Sequence, residues 1–163
     1  MHANKTNAAD PAADREVTIT RVFDAPARLL FEAHSKPQHV LEWFGPPGCP
    51  LALCEMDFRT GGRYRFAMKD GQGQLMTPFG GEYLEIITNK KISYSNTFES
   101  PGAETMVVTV TFAEHAGRTT VTVHTLFGSP KQRQEHMGRG YQAGVNAGLD
   151  QLGAVVTAMK VQP

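Results

Sequence analysis

From Leu51 to Leu126, six short segments alternate apolar with polar side chains, and from Pro130 onward the spacing becomes that of a helix. Period two sends successive side chains to opposite faces of a sheet, whereas a period near 3.6 aligns them along one stripe of a helix. Strands at intervals of roughly a dozen residues, closed by a helix, predict an antiparallel meander with the helix laid against it. The segments are Leu51–Phe58, Gly62–Lys69, Met76–Ile87, Lys91–Glu99, Glu104–Glu114 and Arg118–Leu126. Asp70-Gly71 and Pro101-Gly102 supply turn signals between them. The alternation is clearest in Tyr64, Phe66 and Met68 against Arg63, Arg65 and Lys69, and in Met106, Val108, Val110 and Phe112 against Thr109 and Thr111. One face is therefore apolar and the other wetter. Gly80-Gly81 falls inside a strand pattern and predicts a bulge or a tight bend, which a strongly curved sheet requires.

Ahead of the meander, Glu16–Phe23 sets Val17 and Ile19 against Thr18 and Thr20, giving a first strand. Asp24, followed by Pro26, predicts an acid-capped helix through about His34 with Leu29, Leu30 and Ala33 on its apolar side. Ser35-Lys36-Pro37-Gln38 has the spacing of a capping box and opens a second short helix to Trp43. Gly45-Pro46-Pro47-Gly48 must end it, because two prolines remove donors and two glycines release the backbone. Residues 1–14 are small and polar without periodicity and read as a disordered tail. The domain is expected to span residues 15–161, since 163 residues suffice for one core and leave nothing for a second.

From Pro130 to Lys160 one long helix is expected. At about 100° per residue, Met137, Tyr141, Val145, Leu149, Leu152, Val155 and Met159 share one arc, with Arg139, Asn146, Asp150 and Thr157 opposite. Gly140, Gly144 and Gly148 run along the edge of the apolar stripe. Each disfavours the helix by roughly 0.8–1 kcal/mol relative to Ala, so either the helix lies very close to the sheet or it leaves a hollow.

Sixteen basic residues balance sixteen acidic ones, which removes the electrostatic footprint of a nucleic-acid binder. No stretch approaches the roughly 18 apolar residues of a membrane span, and the first sixteen residues lack the apolar core of a signal peptide. No membrane span and a cytoplasmic location are expected. Cys49 and Cys54 are five apart in an extended segment, too far to bridge comfortably, and read as reduced thiols.

No metal is expected, because His2, His34, His39, His115, His124 and His136 are scattered and neither cysteine has ligand spacing. His124, among Thr120, Thr122 and Leu126, is the best single acid-base candidate; its alternative is a hydrogen-bonded strand histidine. Glu55 and Asp57 share a strand face with Arg59, Arg63 and Arg65 near them, which fits a solvated ion-pair lattice or an acidic pair at a cavity mouth. Gly61-Gly62 joins two strands without the context of a phosphate loop and reads as a hairpin turn.

Four motifs in order carry a resemblance: Phe23-Asp24-Ala25-Pro26, Trp43-Phe44-Gly45-Pro46, the run from Asp57 to Phe66, and Gly81-Glu82-Tyr83-Leu84-Glu85-Ile86. Together they resemble the family related to the C-terminal domain of the activator of Hsp90 ATPase, within the START/Bet v 1-like (SRPBCC) superfamily, over about residues 16–159. The resemblance implies a helix-grip α+β fold: a curved antiparallel sheet of about seven strands wrapped around a long C-terminal helix, with a cavity between them. Relatives often carry Gly-Trp in that helix, where this chain has Gly144-Val145, so more room is expected unless Tyr141 or Phe98 fills it.

The resemblance implies no shared reaction, because one fold hosts many functions. A cavity of this type would hold a small apolar or amphipathic molecule, with apolar bulk and a few fixed polar groups as its walls. The expected ligand contacts are Trp43, Tyr64, Phe66, Met68, Tyr83 and Phe98, with Met106, Val108, Phe112, Tyr141 and Val145; the aromatic and methionine members of this set are otherwise plain core. Trp43 to Gly48 is a candidate lid. No cofactor is expected and catalysis is not the leading reading, but two alternatives stay open. One is an Hsp90 co-chaperone-like protein-binding domain, lowered by the lack of the separate N-terminal domain such activators carry. The other is a hydrolase, lyase or cyclase using His124 with a cavity tyrosine such as Tyr83. A homodimer stays open as well.

Overall fold

The structure is a computed structural model and describes residues 13–161. The tail reading of residues 1–12 lies outside the described residues, while Ala13–Arg15 forms a 3-10 turn. Seven strands follow the alternating segments: β1 (Glu16–Phe23), β2 (Leu51–Met56), β3 (Arg63–Met68), β4 (Phe79–Ile87), β5 (Lys91–Phe98), β6 (Met106–His115) and β7 (Arg118–Leu126). They form one antiparallel, curved sheet in the order β1-β7-β6-β5-β4-β3-β2. Helices α1 (Ala27–Ser35) and α2 (Pro37–Trp43) carry the chain from the β1 edge to the β2 edge, and the meander then returns strand by strand to β1. The expected helix-grip α+β fold is the one observed.

Alternation decides which side chains meet. Met106, Val108, Val110 and Phe112 on β6 and Val121 and Val123 on β7 are buried on the concave face, where Phe127, Leu30 and Leu152 complete the core. Each fully buried side chain of this size contributes roughly 1.5–3 kcal/mol. Within β4, a methyl at Gly80 would overlap the Tyr64 carbonyl, and one at Gly81 the Ser95 carbonyl. The β4–β5 ladder loosens there: the Glu82 amide donates to Ser95 Oγ at 3.0 Å, and the register shift itself falls between Tyr83 and Glu85. Gly80-Gly81 is thus where neighbouring backbone leaves no room for a side chain, and the bulge falls two residues beyond it.

The helix starts differ from the expected caps. Pro26 occupies the N-cap of α1, Asp24 caps nothing, and the Ala27 amide donates instead to Glu114 Oε1 on β6 at 2.8 Å. The Ser35 capping box is also absent, because Ser35 is still inside α1, where its hydroxyl donates to the Glu32 carbonyl, and Lys36 becomes the N-cap of α2. The single C-terminal helix is two: α3 (Pro130–Gly138), capped by Ser129 Oγ accepting from the Gln132 amide at 3.1 Å, and α4 (Tyr141–Lys160). Gly140 sits between them at φ +89°, a left-handed conformation open to glycine and strained for other residues.

Helix α4 has its main backbone contacts with α1, α2, α3 and β1, and stands off the middle of the sheet. It is tied to β1 where Arg21 donates to Asp150 at 2.7 Å and to Asn146 Oδ1 at 3.0 Å. The last two glycines of the stripe do different things. Gly148 lies against the backbone of Trp43, whereas a methyl at Gly144 would meet nothing within 4 Å. The helix therefore both touches its support closely and leaves a hollow.

Candidate functional site

Between α4, the 43–46 loop and the concave face of the sheet lies a cavity of about 240 Å³. Its helical wall is Tyr141, Gly144, Val145, Gly148 and Leu149; its sheet wall is Tyr94, Asn96 and Phe98 on β5, Met106, Val108 and Val110 on β6, and Val123 on β7. Trp43, Phe44, Gly45 and Pro46, with Met68, Phe79, His34 and His136, close the remaining sides. No Asp, Glu, Lys or Arg lines it.

The loop is held by its own polar groups. Trp43 Nε1 donates to the Ala33 carbonyl at 2.9 Å, and the Gln151 amide donates to the carbonyls of Trp43 and Gly45. The Trp43–Gly48 segment expected as a lid is therefore anchored to α4 at Trp43 and Gly45. Tyr141 is fixed too, sharing a 2.7 Å hydrogen bond with Thr125 Oγ1 and packing edge-on against Phe127. Neither Tyr141 nor Phe98 fills the room beside Val145.

Besides Tyr141, four polar side chains stand in this apolar wall: His34, Asn96, Tyr94 and His136. His34 Nδ1 donates to the Leu30 carbonyl at 2.8 Å, which leaves Nε2 without a proton when the ring is neutral. Its ring lies 4.7 Å from that of Trp43 and 5.2 Å from that of Phe112, and burial lowers its pKa to about 4, so the ring is neutral near pH 7. His34 is among the residues that line both this cavity and a smaller space of about 50 Å³ behind it. Asn96 Oδ1 is buried with no hydrogen-bond partner, the one such side-chain atom among the described residues. An unsatisfied buried acceptor costs about 1–3 kcal/mol, so this position sacrifices stability unless something donates to it. Tyr94, whose hydroxyl is pushed well above its ordinary pKa by burial, stays a neutral phenol. His136 is also held below its ordinary value, by burial and by Arg139.

Of the residues expected at the site, Trp43, Met68, Phe98, Met106, Val108, Tyr141 and Val145 line this cavity. Tyr64, Phe66 and Tyr83 lie behind it around a smaller space of about 50 Å³, bounded also by His34, Tyr94 and Asn96. Phe112 lines neither space and packs instead against Phe31 and His34. Tyr64 donates to the Ser95 carbonyl at 2.8 Å, and burial pushes both its hydroxyl and that of Tyr83 upward.

His124 is on the opposite face of the sheet. It is a half-buried outward position of β7 between inward Val123 and Thr125, and its Nε2 lies 2.6 Å from Glu16 Oε1. His124 and Tyr83 thus share no space, and the hydrogen-bonded strand histidine describes His124. Glu55 and Asp57 are not at the cavity mouth either. They line a groove on the outer face with Arg63, Arg65 and Glu99, where Asp57 pairs with Arg59 at 2.9 Å and Arg65 with Glu99 at 2.6 Å.

Asn96, Tyr94, His34 and His136 escaped the sequence reading. Asn96 and Tyr94 had a signal, for Ile92, Tyr94, Asn96 and Phe98 are the inward row of β5, and an amide in an apolar row is conspicuous. His34 had one too, four residues after Leu30 on the buried side of α1. His136 had none, because its position depends on the break at Gly140.

Comparison with known structures gives the same fold throughout. A protein of Nitrosomonas europaea superposes with a TM-score of 0.82 at 22% identity over 92% of this chain and 99% of its own. One of Chromobacterium violaceum gives 0.76 at 27% identity over 87% and 96%. A Mycobacterium smegmatis protein gives 0.80 at 25% identity over 91% and 94%. No protein with a curated description matches. The sequence profile of the Activator of Hsp90 ATPase homolog 1-like proteins matches residues 24–157, and the chain belongs to that family.

Proposed function

We propose that residues 15–161 form one binding module for a small apolar or amphipathic molecule, held between α4 and the sheet without covalent chemistry. The family and fold carry ligand-binding or co-chaperone-type domains in general. One observation favours the small-molecule reading: a cavity of about 240 Å³ without a charged residue in its wall. A wholly apolar hole of about 150 Å³ already accepts benzene, so this one has room for a substituted ring or a fused bicycle. No helix among the described residues is long and apolar enough to cross a membrane, and the proposed setting is the cytoplasm.

The test is native mass spectrometry of freshly purified protein beside Val145→Trp. The reading expects extra mass that organic solvent removes, or uptake of added aromatics, with both lost in the variant. A clean apo mass that no added aromatic alters would reject it in favour of a protein partner.

A further inference from the structure

We infer that the guest is a neutral molecule carrying a hydrogen-bond acceptor, of the ketone or ester carbonyl class, which accepts from the Tyr94 hydroxyl and from Asn96 Nδ2. This rests on the small-molecule reading of the same cavity and deepens it by naming the polar group the guest presents.

Tyr94 and Asn96 are successive inward residues of β5, and both border the cavity of about 240 Å³ and the smaller space behind it. Strand geometry puts them on one face, roughly 6.6 Å apart along the chain, so they form one patch of wall. Neither the Tyr94 hydroxyl nor Asn96 Nδ2 has a hydrogen-bond partner among the described residues, yet of the unpartnered atoms only Asn96 Oδ1 is also shut off from solvent. The hydroxyl and the nitrogen therefore keep accessible surface, and on the concave face that surface opens to these two spaces. With Oδ1 closed off, the end of the amide that meets a guest is the nitrogen, which only donates. Elsewhere in the wall, His34 gives its N–H to the Leu30 carbonyl, Tyr141 shares its hydroxyl with Thr125, and His136 offers one N–H and one lone pair. Free donors are thus concentrated in the β5 pair.

A carbonyl oxygen has two lone pairs and can accept from both. A hydrocarbon of the same shape would displace water from these donors and leave them unpaired, which selects against it. A charged acceptor is excluded on a different ground: no Lys or Arg lines the cavity to receive a carboxylate, and moving an uncompensated charge out of water is the most unfavourable exchange available.

Isothermal titration at pH 7 with two isosteric pairs tests it: acetophenone against α-methylstyrene for a small guest, and 2-acetylnaphthalene against 2-isopropenylnaphthalene for a larger one. Each pair exchanges a carbonyl oxygen for a methylene at the same place. In the pair that fits, Tyr94→Phe and Asn96→Leu should each weaken the ketone about fivefold and leave the alkene unchanged or tighter. The infrared stretch of the bound, isotope-labelled carbonyl should lie below its value in hexane and rise toward that value in Tyr94→Phe. This second readout decides the matter even where a variant misfolds, because the wild-type stretch alone reports whether the carbonyl accepts a hydrogen bond. Equal losses for ketone and alkene in both variants, or a wild-type stretch at the hexane value, overturn the acceptor inference and leave the cavity reading standing. Heat from none of the four compounds overturns both.

Discussion

Asn96 and His34 are the two residues whose placement is hardest to explain by stability alone. Leucine at position 96 matches the apolar row of β5 and removes an unsatisfied buried acceptor. Asn96→Leu should therefore raise stability by about 1 kcal/mol, read as a higher urea midpoint at unchanged slope; a lower midpoint would mean that the amide has a structural partner. His34 gives a pH dependence whose sign is fixed. Its folded pKa, about 4, lies below the ordinary 6.5, so between those values the unfolded chain binds more protons than the folded one. Stability is then full above about pH 6.5 and falls as pH drops toward 4, by at most roughly 3 kcal/mol and less where cavity water screens the ring. His136, also depressed, adds in the same direction. In His34→Phe, which keeps an aromatic ring against Trp43 and edge-on to Phe112, denaturation midpoints between pH 4 and 6.5 should slope less than in the wild type.

At the scale of elements, the three glycines of the C-terminal stripe separate three effects that look identical in sequence. Gly140 has a positive φ, Gly144 faces open space and Gly148 lies against Trp43. Gly140→Ala should destabilise by about 1–2 kcal/mol through left-handed strain. Gly144→Ala should stabilise by about 0.5–1 kcal/mol through helix propensity, while taking a methyl's worth of the cavity. Thermal melts of the two variants moving in the same direction would contradict the described backbone. The strands were legible because alternation is local, and seven of seven appear with their ends moved by at most three residues. The caps were not, because the partner of the Ala27 amide is Glu114, 87 residues away. The break at Gly140 was hidden for a related reason: periodicity continues across a single left-handed residue, and only the folded backbone shows that Gly140 separates α3 from α4.

For the molecule as a whole, the cavity follows from where α4 is fixed. Arg21 and Gln151 bind it to β1 and to the 43–46 loop, Tyr141 is pinned to Thr125, and the helix has its main backbone contacts with α1, α2, α3 and β1 and not with the central strands. The sequence showed the inward rows that wall this space and the small residue at 145. It could not show that His124 faces outward toward Glu16 or that Phe112 is taken up by Phe31 and His34, since both depend on contacts between distant elements. The most direct measurement is a methyl carbon–proton correlation spectrum titrated with 2-naphthol. Signals of Met106, Val108, Val123, Val145 and Leu149 should move together and saturate, while those of outward Val22, Leu84 and Ile87 stay fixed; movement confined to the outward set would contradict a guest between helix and sheet.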